Sequence, residues 1–198
     1  MVSPQHTSWR RAVGEVFTFG EARSAGIPQR VIYQLRDSGD IISLGSGLYR
    51  WEDSRLRDID LIEVAERTPH ATMCLETALA RHGLIDSIPT AIDMALPRGL
   101  HRPRFTAPVR LHAFDAKTFE IGREMVRISP SHRLGIYSPE RCVIDVVRLR
   151  HAEGQELAWE ALRAWIATRG RNPAALLALA TKFHGAQKPL RLALQILL

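Results

Sequence analysis

The sequence predicts an α+β protein in two domains, and three observations carry that expectation. From Thr7 to Trp51, helix caps alternate with short amphipathic runs that close on a hairpin signal. Strand-like runs fall at about Ala91–Leu96, Val109–Phe114, Met125–Ile128 and Leu134–Tyr137, with Pro, Gly and charged residues between them. Helical periodicity flanks that stretch on both sides. A hydrophobic share of 45% with 24% charged residues, over 198 positions, is enough apolar material for buried cores and excludes a disordered or fibrous chain.

The first helix is predicted from Ser8 as cap and from Trp9, Ala12, Val13 and Val16 at helical spacing. Thr18-Phe19-Gly20-Glu21 reads as a capping box opening a second helix, which Gly26 ends in the left-handed conformation. Pro28 then suits a first helical turn, and Val31, Ile32 and Leu35 form the inward stripe of a third helix ending at Ser38-Gly39. Ile41–Leu44, the turn Gly45-Ser46-Gly47 and Leu48–Trp51 complete a hairpin. That order is the order of a winged helix-turn-helix, which sets its last helix in a major groove. The expected domains are therefore residues 7–52 and 53–198.

Asp53 to Arg57 reads as a polar bridge into a helix carrying Leu56, Ile59, Leu61, Ile62, Val64 and Ala65, closed by Thr68-Pro69. A further helix is expected over about Ala71 to His82. The four strand candidates are expected to pair as a small antiparallel sheet, with helices around it. Ser138-Pro139-Glu140 marks a helix start before the stripe Cys142, Val143, Val146, Val147 and Leu149, and helices are expected at about Gln155–Thr168, Pro173–His184 and Pro189–Leu198.

Composition also limits the function classes. The longest apolar stretches, such as Ala174 to Ala180, are far shorter than the roughly 18–20 residues of a bilayer-spanning helix. No membrane partner is expected. The first eleven residues lack an apolar segment between a basic start and a cleavage site, which points to the cytoplasm. Cys74 and Cys142 lie far apart in apolar runs, and the eight histidines lack paired ligand spacing, so neither a disulfide framework nor a metal is expected. A net charge of +6 favours an anionic partner.

The candidate DNA-reading residues lie on the third helix: Gln29, Arg30, Tyr33, Gln34 and Arg36. Arginine can pair with guanine O6 and N7, glutamine with adenine N6 and N7, and tyrosine with phosphate or a thymine methyl. Ser46 and Arg50 are the wing's candidates, through a backbone amide and a positive charge. Arg98, Arg102 and Arg104, with His101 and Arg110 beside them, form a second candidate basic surface; the alternative is a solvated loop whose arginines pair with Asp115, Glu120 and similar acids. Glu140, Arg141, Asp145 and Arg148 are expected to project away from their helix's apolar stripe, with Arg141 and Asp145 as an i, i+4 ion pair. No P-loop, nucleophile elbow, H-E-x-x-H or dinucleotide motif is present, so no catalytic residue and no cofactor is assigned.

Two sets of residues stand out. The amino-terminal set runs through Phe17-Thr18, Glu21-Ala22, Ala25-Gly26-Ile27, Leu35, Gly39-Asp40-Ile41, Leu44 and Gly47-Leu48-Tyr49. Beyond it come Cys74-Leu75-Glu76-Thr77-Ala78-Leu79 with His82-Gly83-Leu84, then Ala95-Leu96-Pro97-Arg98-Gly99, then Tyr137-Ser138-Pro139-Glu140-Arg141 with Asp145 and Arg148. Through these residues most of the chain resembles the AbiEi-type antitoxins of bacterial type IV toxin-antitoxin systems. The resemblance implies an autorepressor that binds inverted repeats in its promoter, as a monomer or weak dimer paired on DNA. It also implies that the chain counteracts, directly or indirectly, a nucleotidyltransferase-like toxin encoded beside it. A winged-helix regulator without a toxin, and a DNA-acting enzyme with its site in the second domain, are the alternatives.

Overall fold

The computed structural model describes residues 4–45, 47–52, 59–129 and 132–197. They fall into two compact units, residues 1–67 with 104–106, and residues 68–103 with 107–198.

The first unit contains α1 (Pro4–Val13), β1 (Val16–Thr18), α2 (Phe19–Ser24), α3 (Gln29–Asp37), β2 (Ile41–Gly45), β3 (Leu48–Trp51) and α4 (Ile59–Arg67). Its sheet has the order β1-β3-β2 with both pairings antiparallel. Phe17, Ile27, Ile32, Leu35, Ile41 and Trp51 are buried together beneath α2 and α3. The capping box at Thr18 forms as its spacing requires: Thr18 Oγ1 accepts from the Glu21 amide at 3.1 Å, and Glu21 Oε2 accepts from the Thr18 amide at 2.7 Å.

Three local expectations are corrected here. The first helix begins at Pro4, which leaves Ser8 inside it rather than capping it. It also stops before Gly14, at φ +81°, and Val16 pairs with Arg50 in β1. Val16 fits helical spacing and strand pairing equally well; the left-handed glycine decides between them. Pro28 is the cap of α3, with ψ 143°, one position ahead of the first helical turn.

The two compact units divide at 67–68, with 104–106 returning to the first; the boundary expected between 52 and 53 adjoins residues outside those described. Thr106 ties α4 to the hairpin: its amide donates to Glu63 at 2.8 Å and its hydroxyl to the Leu44 carbonyl at 3.0 Å. Arg67 adds a bond to the Arg104 carbonyl at 2.9 Å and an ion pair with Glu63 at 2.9 Å. Gly45, at φ +91°, permits this approach, since a Cβ there would stand 2.8 Å from Thr106 Oγ1 and 2.9 Å from Arg67 Nη2. The polar bridge expected at Asp53–Arg57 lies outside the described residues.

The second unit contains β4 (Thr72–Met73), α5 (Leu75–Arg81), β5 (Ile92–Pro97), β6 (Val109–Phe114), α6 (Ala116–Phe119), β7 (Arg123–Arg127), β8 (Arg133–Tyr137), α7 (Pro139–Glu153), α8 (Gln155–Ala167), α9 (Pro173–Ala180) and α10 (Gln187–Leu197). The sheet order is β6-β5-β4-β8-β7. It is mixed, not antiparallel as expected: β5 runs parallel to β6 and β4 parallel to β8. The long passage between β5 and β6 returns the chain to the starting end of β5, which makes that pairing parallel. The helix expected from Ala71 begins only at Leu75, because Thr72 and Met73 are taken into the middle of the sheet. Helix α7 starts at its expected cap, Ser138, whose hydroxyl accepts from the Arg141 amide at 3.3 Å. It buries Val143, Ile144, Val146 and Val147 among α5, α8, α9 and α10.

Candidate nucleic-acid interface

Helix α3 sorts its residues by period. Ile32 and Leu35 face the core, while Gln29, Arg30, Tyr33, Gln34 and Arg36 are exposed. Several of the exposed group are already engaged. Gln29 Nε2 donates to the Tyr33 hydroxyl at 3.2 Å, and the Tyr33 ring stacks with Phe19 at a centroid distance of 6.2 Å. Arg36 donates twice to Asp37, at 2.9 and 2.7 Å, and its guanidinium lies 5.0 Å from the Tyr33 ring centroid. The hydrogen bond to Asp37 holds that guanidinium still more firmly protonated. Arg30 and Gln34 differ: among the described residues neither side chain has a hydrogen bond or ion pair within the protein.

In the wing, Arg50 is engaged within the protein. Arg50 Nη1 donates back to the carbonyls of Trp51 at 3.1 Å and Glu52 at 2.9 Å. Ser46 lies outside the described residues. The basic run after β5 is divided between the two units, with Arg104 in the first and Arg98 and Arg102 in the second, all three exposed. Arg110 is exposed but engaged in ion pairs. It grips Asp93 through Nε at 2.8 Å and Nη2 at 2.9 Å and reaches Glu76 at 3.2 Å; the hydrogen bond it donates to Asp93 raises its pKa further.

Two buried carboxylates organise the second unit, and the sequence reading misplaces one and misses the other. Arg141 and Asp145 do form the i, i+4 pair, at 2.8 Å, but neither projects to solvent. Arg141 Nη1 donates to the carbonyls of Thr118 at 2.7 Å and Ile121 at 2.8 Å, and its guanidinium packs 4.3 Å from the Tyr137 ring centroid and 4.1 Å from that of Phe183. Arg148 Nε donates to the other oxygen of Asp145 at 2.7 Å. Asp93 is the missed carboxylate: besides Arg110 it meets His112 Nε2 at 2.8 Å, and its amide donates to Thr77 Oγ1 at 2.8 Å. Its only sequence signal was a lone acid inside a strand otherwise apolar.

Neither cysteine is poised as a nucleophile, because burial pushes both the Cys74 and Cys142 thiols well above their ordinary value. Among the described residues, no three His, Cys, Asp or Glu side chains gather as a metal would require, and no helix is long and apolar enough to cross a membrane.

These features define an α+β protein whose amino-terminal unit has the element and strand order of a winged helix-turn-helix. The chain matches no family model and no curated protein. Among solved structures it is similar to the crystal structure of the RV2827C protein from Mycobacterium tuberculosis, with a TM-score of 0.57 at 16% identity over 96% of this chain and 78% of that one. At that identity the likeness speaks to fold.

Proposed function

We propose that this chain is a DNA-binding transcriptional repressor that reads duplex promoter DNA with α3. The observation that carries the reading is the pair Arg30 and Gln34, exposed one turn apart on α3 with no intramolecular partner among the described residues. Their donors and acceptors are free to meet guanine and adenine edges without first breaking a bond inside the protein. The surplus of positive charge supports electrostatic capture of a polyanion, so affinity falls steeply with added salt.

The resemblance to AbiEi antitoxins extends the proposal: the repressor acts on its own operon and counteracts a nucleotidyltransferase-like toxin encoded beside it. Two experiments with the full chain test the two levels. Fluorescence anisotropy on the upstream promoter is expected to give sequence-specific binding that Arg30→Ala weakens; binding with no preference over scrambled duplex would sink the repressor reading. Co-expression with the neighbouring gene is expected to relieve its toxicity, in wild type and in Arg30→Ala alike. A neighbouring product that is harmless, or equally harmful with and without this chain, removes the antitoxin reading and leaves the repressor.

A further inference from the structure

A cavity of about 410 Å³ opens in the second unit where the ends of β5 and β6 meet α7 and the turn after α9. Its size falls within the range of small-molecule sites. Its walls include Arg98, Asp115, Arg148, Lys182 and the rings of Phe114 and Phe183. The backbone sets Arg98 there, since its amide donates to the Phe114 carbonyl at 2.8 Å.

Charge on these walls does not cancel. Arg141 lies behind the two rings, its guanidinium carbon 5.6 Å from the Phe114 centroid and 4.1 Å from that of Phe183. It shares the single carboxylate of Asp145 with Arg148, so the trio keeps one positive charge. Arg141 Nη2 is buried and has no hydrogen-bond partner among the described residues. Arg98 and Lys182 have no carboxylate partner among the described residues either, and Asp115 is the one acid of the lining, where it also caps α6 through the Lys117 amide at 2.9 Å. Two positive charges therefore remain uncompensated around a recess of mixed lining, in which polar side chains meet the rings of Phe114 and Phe183.

We propose that this cavity binds a small phosphate-type dianion, a free phosphorylated compound rather than the backbone of nucleic acid. A phosphate group carries about −1.5 to −2 at neutral pH, which matches the surplus where a single carboxylate would not. Guanidinium forks suit its oxygens. A recess of this size admits a small molecule more readily than a stiff duplex.

The test uses the full chain with inorganic phosphate as the probe and acetate at matched ionic strength as the comparator. Calorimetry is expected to show saturable binding of phosphate and not of acetate, with a rise in the thermal unfolding midpoint. Arg98→Ala and Lys182→Ala remove exposed side chains with no intramolecular ion pair among the described residues, so the double variant folds; each lost charge-assisted bond is expected to weaken phosphate about tenfold. No heat and no midpoint shift in wild type would overturn the proposal, and so would equal binding by the double variant. Promoter affinity is expected to be unchanged in the double variant. A parallel fall in both affinities would assign the cavity to a DNA-contacting surface and refute a small-anion site. Failure of the α3 reading alone would leave the phosphate result standing.

Discussion

Arg141 and Asp145 stand one turn apart on α7 with both side chains sealed from solvent, and the second oxygen of Asp145 takes the guanidinium of Arg148. One carboxylate therefore holds two cations in the middle of the second unit. Asp145→Asn keeps the shape and removes the charge, leaving Arg141 buried without a counter-ion. A loss of about 3–5 kcal/mol is expected, read as a fall in the urea midpoint of the second unit's unfolding. Arg148→Met, at the half-exposed end, is expected to cost less. A loss under about 1 kcal/mol for Asp145→Asn would show that the pair does not anchor α7.

Glu140, in the first turn of the same helix, gives the fold an acid-sensitive contact. Burial works against its charge, but hydrogen bonds from its own backbone amide, from Trp165 Nε1 at 3.1 Å and from Arg171 Nη1, with the Arg171 charge, hold its pKa below the ordinary 4.5. A carboxylate lowered in the native state stabilises it fully above the unfolded value, and that contribution disappears as pH falls through the native value. Glu140→Gln is therefore expected to be less stable than wild type at neutral pH and to lose less on acidification. Parallel curves of urea midpoint against pH would refute the assignment.

On α3 the partnered and unpartnered side chains are expected to separate in DNA binding. Arg30→Ala and Gln34→Ala should each cost about 1–3 kcal/mol on the preferred promoter sequence and relax base preference at one position. Arg36→Ala should cost less than either and change no preference, because Asp37 already occupies the guanidinium. Anisotropy titrations against a set of single-base operator variants distinguish these outcomes. A uniform loss across all sequences for Arg30→Ala would make it a phosphate contact.

Gly45→Ala tests the tie between the hairpin and residues 104–106. The substitution meets a φ of +91° and two atoms within 3 Å, so a loss of about 1–3 kcal/mol is expected together with faster hydrogen exchange at the Thr106 amide. Thr106→Val removes the hydroxyl bond to Leu44 while keeping the backbone, and should reproduce the exchange effect in weaker form. Unchanged exchange in both would show that Thr106 does not fasten the loop.

The legible parts of this fold were those written locally. Thr18 and Glu21, Gly26, the Ile32 and Leu35 stripe and Ser138-Pro139 each specify a cap or a face within a few residues, and the structure places them as their spacing requires. Strand β4 is two residues long and β1 three, too short to show a period, and both were absorbed into neighbouring helices. Burial of the Arg141–Asp145 pair was hidden because an i, i+4 ion pair has the same spacing on a surface and in a core. The Asp93–Arg110 grip depends on parallel register between β5 and β6, where these two residues are direct partners, and register between distant strands is not a local property. The cavity draws on segments around residues 98, 115, 148 and 182, so only the tertiary fold assembles it.

Because Thr106 and Arg104 belong with α4 and the hairpin, the polypeptide crosses between the two units three times rather than once. The winged-helix portion is therefore not a cassette that a single cut can lift out. A hybrid made by grafting residues 1–67 onto another domain would carry Glu63, a side chain 3% exposed, without the Thr106 amide it holds. On the proposed reading, sequence preference is therefore altered by point changes along α3, which leave the contacts of Thr106 with Glu63 and Leu44 intact.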